Sequence, residues 1–305
     1  MNDYLHILRQ NPPLAGIDAK ATPDEPDHLA ESFMKKNGVR QVVGPTFLSA
    51  VTALTFSAPA QSQTPSADEL VKKELAAFYY GGKDMSVRIA MRLINAQGNV
   101  RERNMVMLRT NNGDTGDQRY LMAFDAPADV RGMSFLIWKY AKAEDDRWIY
   151  FPALKAVKRI AADDKKSSFV GSDFTYEDVS GRDLDDESHS FVRADQVGSR
   201  KVYVVDSKPK GNTDYAMRSI WIDQEHWLPL KEEYFDAQGK PLRTFTADRV
   251  EQIGGQWTIT VRSMKNHQTG HRTEVVFKNV QYNVGLSDSV FTERTMKNPV
   301  QGLQK

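Results

Sequence analysis

His267 and His271 stand four residues apart, a spacing that brings two imidazoles onto one face of a helix and would suit a metal ion. Gln268, Thr269 and Gly270 between them form a turn sequence, so the pair reads as solvated turn histidines and no metal site is assigned. His189 and His226 lack acidic residues at a useful spacing. Asp183, Asp185, Asp186 and Glu187 make an acidic run of the kind that attracts calcium. The glycine and the twelve-residue spacing of an EF loop are missing, and the run reads as a solvated loop. Gly171-Ser172-Asp173 lacks the second glycine and the strand–turn–helix setting of a nucleophile elbow. Ser172 or Asp173 reads instead as the N-cap of a short helix over 174–178. Asp173, Glu177 and Asp178 could supply an acid pair, but no second catalytic element accompanies them. No catalytic residue and no cofactor are assigned, and the chain reads as a non-enzyme.

One cluster remains. Lys155, Lys158 and Arg159 lie beside Trp148, Tyr150 and Phe151. Two readings stand: an exposed strand edge with snorkelling cations, or a cavity rim where cations meet lipid phosphate or carbonyl groups. Arg159 near Asp173 or Glu177 would be a buried pair that latches a loop onto a sheet.

The elements that must hold these residues follow from periodicity. Ser66 and Glu69 form a capping box, and Leu70, Val71, Leu75, Phe78 and Tyr79 follow at helical spacing up to Gly81-Gly82. The period then changes to two. Met85, Val87, Ile89, Met91 and Leu93 alternate with Ser86, Arg88, Ala90 and Arg92 as a strand with one apolar face. A second strand runs over 100–109, and further strands are expected near 118–124, 132–140, 146–151, 189–196, 200–206, 216–223, 228–235, 241–250, 256–265 and 272–282. Turns rich in Gly, Asn and Asp join them, which predicts an antiparallel meander. The stretch 161–188 interrupts it as a long loop with short helices, its aromatics Phe169, Phe174 and Tyr176 turned towards the sheet.

A large antiparallel sheet has two faces to cover. One amphipathic helix and one loop cannot fill the concave side, so an apolar cavity is expected. Met85, Met91, Met105, Met107, Met122 and Met133 supply the flexible filler of an adaptable apolar surface, although an ordinary methionine-containing core reads the same way. Phe124, Phe135, Trp148, Tyr150 and Phe151 complete the candidate lining.

The N-terminal residues point to export. Met34-Lys35-Lys36 and Arg40 form a basic region, 42–58 is uncharged and largely apolar, and Ala58-Pro59-Ala60 has the form of a cleavage site. This is the order of a secretory signal peptide. Residues 1–33, with four prolines and no apolar period, read as a mis-assigned upstream extension, and 61–305 as one domain. The chain carries 41 Lys and Arg against 40 Asp and Glu, which gives no basic surface for nucleic acid. It has no cysteine, which excludes disulfides, thiol catalysis and a lipid-modified N-terminal cysteine and suits an oxidising compartment.

Trp148 to Ile160, read as W-x-Y-x-P-A with a basic R-I end, is followed by Gly171-Ser172-Asp173-Phe174-Thr175-Tyr176-Glu177-Asp178. With Phe124-Asp125-Ala126-Pro127, Gly132 and the Ile222-to-Lys231 hairpin, this pattern resembles the LolA-like outer membrane lipoprotein-sorting protein family over about 66–300. That group is related in fold to LolA, LolB and the RseB sensor domain. The resemblance implies a mainly β fold, an unclosed antiparallel barrel of about eleven strands curled around a few helices that lid a hydrophobic cavity. It implies a periplasmic, monomeric carrier of lipoprotein acyl chains or phospholipid, moving cargo towards the outer membrane with an RND-type exporter as partner. The alternative is an RseB-like sensor or assembly module that binds an envelope protein. Lys158, Arg159, Phe169, Asp173, Phe174, Tyr176 and Glu177 would form the lid or rim. The long 161–188 segment departs from the carrier pattern and leaves the cargo open.

Overall fold

The computed structural model describes residues 65–112, 116–211 and 213–298. The segment from Met34 to Ala60 expected to be a signal peptide, and the residues before it, lie outside the described residues.

Helix α1 (Ala67–Tyr79) opens the described chain. Ser66 Oγ accepts from the Glu69 backbone N–H while the Glu69 carboxylate takes the Ser66 N–H at 2.9 Å, so the capping box satisfies two helix-start donors reciprocally. The strands follow as β1 (Asp84–Ile94), β2 (Val100–Asn112), β3 (Asp117–Ala126), β4 (Ser134–Tyr140), β5 (Ala143–Phe151) and β6 (Ala156–Ile160). After the crossing segment come β7 (Glu187–Val197), β8 (Arg200–Pro209), β9 (Met217–Asp223), β10 (Pro229–Phe235), β11 (Pro241–Ile253), β12 (Gln256–Asn266) and β13 (Arg272–Tyr282). All thirteen form one antiparallel sheet in the order β6-β5-β4-β3-β2-β1-β13-β12-β11-β10-β9-β8-β7. The sheet is an open half-barrel, as expected, with thirteen strands among the described residues in place of about eleven. The short β6, with no clean burial alternation, is one strand that periodicity did not separate from its neighbour.

This order dictates the rest. The first strand, β1, lies in the middle of the sheet; the strands run out from it to one edge at β6 and must resume at the opposite edge, β7. Residues 161–186 make that journey as a strap over the inner face. The strap is built of short 3₁₀ turns and one helix, α2 (Tyr176–Ser180). Its N-cap is Thr175, in a capping box with Asp178, and not Ser172 or Asp173 as expected: Ser172 Oγ bonds within its own turn, to the Phe174 backbone. Gly181 ends α2 at φ 85°, where a Cβ would stand 3.1 Å from the Tyr79 ring.

The inner face holds the main core. Met85, Val87, Ile89, Met91 and Leu93 of β1 join Met105, Met107, Tyr120, Met122, Phe124 and Phe135 from β2–β4, and Phe245, Ile259, Met264 and Val275 from β11–β13. α1 buries Leu70 and Val71 against Val205, Ile220 and Ile222. The outer face over β2–β5 is covered by the C-terminal segment and its helix α3 (Glu293–Lys297): Phe291 and Met296 pack on Leu108, Leu121 and Leu136. Trp138 Nε1 donates to the Phe291 carbonyl at 3.1 Å, and Ser134 Oγ to that of Met296 at 2.8 Å.

Candidate functional site

Alternation along β1–β4 sets the floor of the site. Met91, Met105, Met107, Met122, Phe124 and Phe135 are all buried in one inner-face cluster, and Met133 packs half-buried against it. The strap supplies the roof. The Phe169 ring lies 5.2 Å from Phe135 and 6.2 Å from Phe124, and Tyr176 lies 5.5 Å from both Phe135 and Phe169. Phe174 reaches the far side, 6.5 Å from Phe245. Phe78 of α1 meets Phe245 at 6.0 Å. The backbone of Val170 sits at φ 53°, a left-handed conformation that is costly for a β-branched residue, so the strap holds local strain beside this aromatic wedge.

Strap and helix fill much of the space left open in the sequence reading. Two cavities of about 40 and 50 Å³ remain beneath them. Phe78, Met85 and Tyr282 line one; Ile89, Met91, Met105, Met122, Phe169 and Phe174 line the other. Met107, Val179 of α2, Arg262 of β12 and Phe277 of β13 belong to the walls of both. A larger groove, about 570 Å³, runs on the outer side between β1 and the C-terminal segment, but Ser86, Gln281, Ser287, Ser289, Thr292 and Arg294 give it a polar wall.

Two of the aromatics assigned to the lining lie elsewhere. Trp148 and Tyr150 pair with Leu136 and Ser134 of β4 and so point to the outer face, where they pack in the Phe291–Met296 cluster. Their even-numbered phase puts them opposite Ile149, which faces the core. Phe151 is half-buried, with Lys158 Nζ 5.8 Å from its ring centroid.

The strap is latched by ions, though by other pairs than Arg159 with Asp173 or Glu177. Arg159 is exposed and binds Asp146 across the β5–β6 ladder. Asp173 instead accepts from His271 Nδ1 at 2.6 Å and from Thr273 Oγ1 at 2.7 Å, tying the strap to β13. Glu177 faces Arg182 at 3.2 Å and Lys165 at 3.6 Å. Arg182 also donates to Asp178 at 2.6 Å, and Asp178 lies 3.8 Å from Arg243 of β11. The acidic run is not a solvated loop. Lys139 Nζ takes Asp183 Oδ1 at 2.9 Å, Lys165 takes Asp186 at 3.4 Å, and Glu187 is buried against Arg218 at 2.7 Å. His189 bonds Ser207 at 2.8 Å and the Leu184 carbonyl at 3.1 Å.

Electrostatics follow burial. Desolvation would raise Glu187, but the Arg218 guanidinium outweighs it and holds the carboxyl down at about 2. Asp178 follows the same logic: burial opposes its charge, and Arg243 and Arg182 bring it well below the usual carboxylate range. Glu74 on the inner side of α1 has no such partner. Burial, reinforced by Glu232, pushes it up to about 8, and its Oε2 lacks a hydrogen bond. Sequence reasoning missed Glu74, although it lies on the same helical stripe as Leu70 and Val71; a carboxylate there reads as a solvated position unless its burial is seen.

The arrangement is an apolar inner face on an open sheet, covered by an ion-latched strap. Among solved structures, an outer membrane lipoprotein-sorting protein domain from Vibrio parahaemolyticus is 30% identical, with a TM-score of 0.70 over 76% of this chain and 98% of that one. A DUF1329 family protein from Desulfovibrio piger is 28% identical, with a TM-score of 0.69 over 75% and 97%. A LolA superfamily protein from Nitrosomonas europaea, 18% identical with a TM-score of 0.60 over 76% and 99%, shares the fold. A family described as an uncharacterized protein matches residues 116–298. No curated protein matches. The chain belongs to the outer membrane lipoprotein-sorting protein family and has its LolA-like fold. No helix among the described residues is long and apolar enough to cross a membrane.

Proposed function

We propose that this protein is an envelope carrier that binds the acyl chains of a lipid or lipoprotein between the strap and the inner face of the half-barrel. The observation that carries the reading is the methionine- and phenylalanine-lined bed of β1–β4 beneath a cover attached by polar latches. Methionine adapts its shape to a flexible chain. Each buried methylene contributes about 0.8 kcal/mol. A sixteen-carbon chain thus supplies on the order of 10 kcal/mol before ordering costs, enough for micromolar or tighter binding. Cavities of about 40 and 50 Å³ are far too small for such a chain, so binding requires the strap to lift. Release onto a partner uses the same motion in reverse.

In this reading the protein works in the periplasm after cleavage near Ala60, delivers cargo towards the outer membrane, and exchanges it with an RND-type exporter. It acts as a binding protein without covalent chemistry. The family membership supports the class of ligand; the apolar bed supports acyl chains over a polar solute.

Native mass spectrometry of protein purified from the envelope of its own cells tests the proposal. A bound lipid mass, lost on organic extraction and restored by added lipid, is expected. Consistent absence of lipid together with no uptake of a fluorescent fatty acid would overturn it, and a stoichiometric envelope protein without lipid would move the assignment to an assembly module.

A further inference from the structure

Arginines buried in this half-barrel come with anions. Arg182 has Asp178 and Glu177, Arg218 has Glu187 and Glu232, Arg243 has Asp214, and Arg147 has Asp145. Arg109 spends its guanidinium on the carbonyls of Tyr79 and Gly81 at the end of α1. Arg262 breaks the pattern. Among the described residues it has no carboxylate within 4 Å and no hydrogen-bond acceptor, and its Nε is buried without a partner. It is held between two rings, with its Cζ 4.4 Å from the Phe277 centroid and 5.4 Å from that of Phe78. Aromatic faces orient a guanidinium and offset part of its desolvation, but they leave its N–H donors free. Burial lowers its pKa to about 10, and it stays charged at neutral pH.

Its place is as telling as its lack of partners. Arg262 pairs across the sheet with Val275 and Ala247, in the middle of the inner face. It borders both small cavities, so any chain that joins them passes this cation. Asp178 lines one of these cavities and raises the Arg262 pKa against burial, but it stands beyond salt-bridge distance, and a buried charge without a direct partner is costly.

We propose that Arg262 is the headgroup contact of the site: it binds the anionic oxygen of a single-headed acyl amphiphile, a carboxylate or a phosphate, whose chain lies along Ile89, Met91, Met105 and Met122. This inference rests on the carrier reading and narrows its ligand. An amide-linked, uncharged acyl group leaves Arg262 unpaired, so an acidic lipid is favoured over a neutral one of the same chain length.

The test compares hexadecanoate, hexadecyl phosphate and hexadecanol, below their aggregation limits, by displacement of a neutral fluorescent acyl probe. A charge-assisted hydrogen bond in a desolvated site predicts anion binding roughly ten- to a hundredfold tighter than hexadecanol; the tighter of the two anions identifies the headgroup. In Arg262→Met the preference for the anions over hexadecanol disappears, and Arg262→Lys retains part of it. Ligand-free Arg262→Met also melts higher than the wild type, because an unpaired buried charge has gone, whereas a merely structural arginine would lower the melting temperature. Hexadecanol binding with no anion preference, or a preference that survives in Arg262→Met, overturns the inference and leaves the carrier intact. If none of the three ligands binds the wild type, the carrier reading itself falls, and this inference with it.

Discussion

Glu74 and Glu187 are both buried carboxyls of the inner face, and they respond to pH in opposite directions. Glu187 is held near 2 in the folded protein against an ordinary 4.5, so its pairing with Arg218 stabilises the fold above the usual carboxylate range. That contribution is lost as pH falls towards 2. Glu74, at about 8, keeps a proton that the unfolded chain has already released above pH 4.5. Between those values the native state binds more protons than the unfolded one, so stability falls as pH rises towards 8. Glu74→Gln removes that decline. In thermal melts the variant should match the wild type near pH 5 and exceed it by about 5 °C at pH 8. Parallel curves at both pH values would show that Glu74 is not buried in its neutral form. Neither role was legible from sequence. The stripe through Leu70, Val71 and Phe78 was, but the Arg218 and Glu232 that set these two carboxyls arrive from strands more than a hundred residues on from α1. The 183–187 acids read as solvated because their partners Lys139, Lys165 and Arg218 stand 44, 21 and 31 residues away on other elements.

The strap is the element that distinguishes this half-barrel. Its position follows from topology, since β6 and β7 are opposite edges and residues 161–186 have to cross the sheet between them. From sequence it was visible as a long segment with three aromatics aimed inwards, and Phe169, Phe174 and Tyr176 do face the inner side. Its latches were not visible. Asp173 meets His271 and Thr273 from a hairpin about a hundred residues away, and the histidine pair that looked like a bare turn contributes one member to that contact. Arg262 was hidden for a local reason. Two register shifts between β11 and β12, either side of Arg249, change the phase of the strand beside it, so strict alternation does not tell which way it points. Phe169 is the keystone of the aromatic wedge. Phe169→Ala should destabilise the protein by about 3–5 kcal/mol in denaturant unfolding while enlarging the bed, so that the same variant binds a fluorescent fatty acid at least as tightly as the wild type. Equal losses of stability and of binding would mean that the Phe169 ring is needed to hold the chain and is not displaced by it.

At the scale of the whole molecule, period-two alternation and Gly, Asn and Asp turns were enough to place the meander and its two halves. They could not show that β1 pairs with β13, which makes the middle of the sheet the place where the described chain begins and ends its circuit. Nor could they assign faces near the edge. Trp148 and Tyr150 carry the family motif, yet their alternation puts them on the outer side beneath the C-terminal segment. The polar-latched strap keeps the apolar inner face out of water; in the proposed carrier that face is exposed only while cargo is loaded or unloaded.

Photo-crosslinking with a diazirine-bearing hexadecanoate, followed by peptide mapping, reads out whether an acyl chain lies between strap and sheet. Adducts are expected on β1–β3 peptides at Met91, Met105 and Met122 and on the strap at Phe169 and Phe174, suppressed by unlabelled hexadecanoate. Competable adducts confined to Trp148, Tyr150 and the 284–298 segment, with none on the inner face, would contradict it.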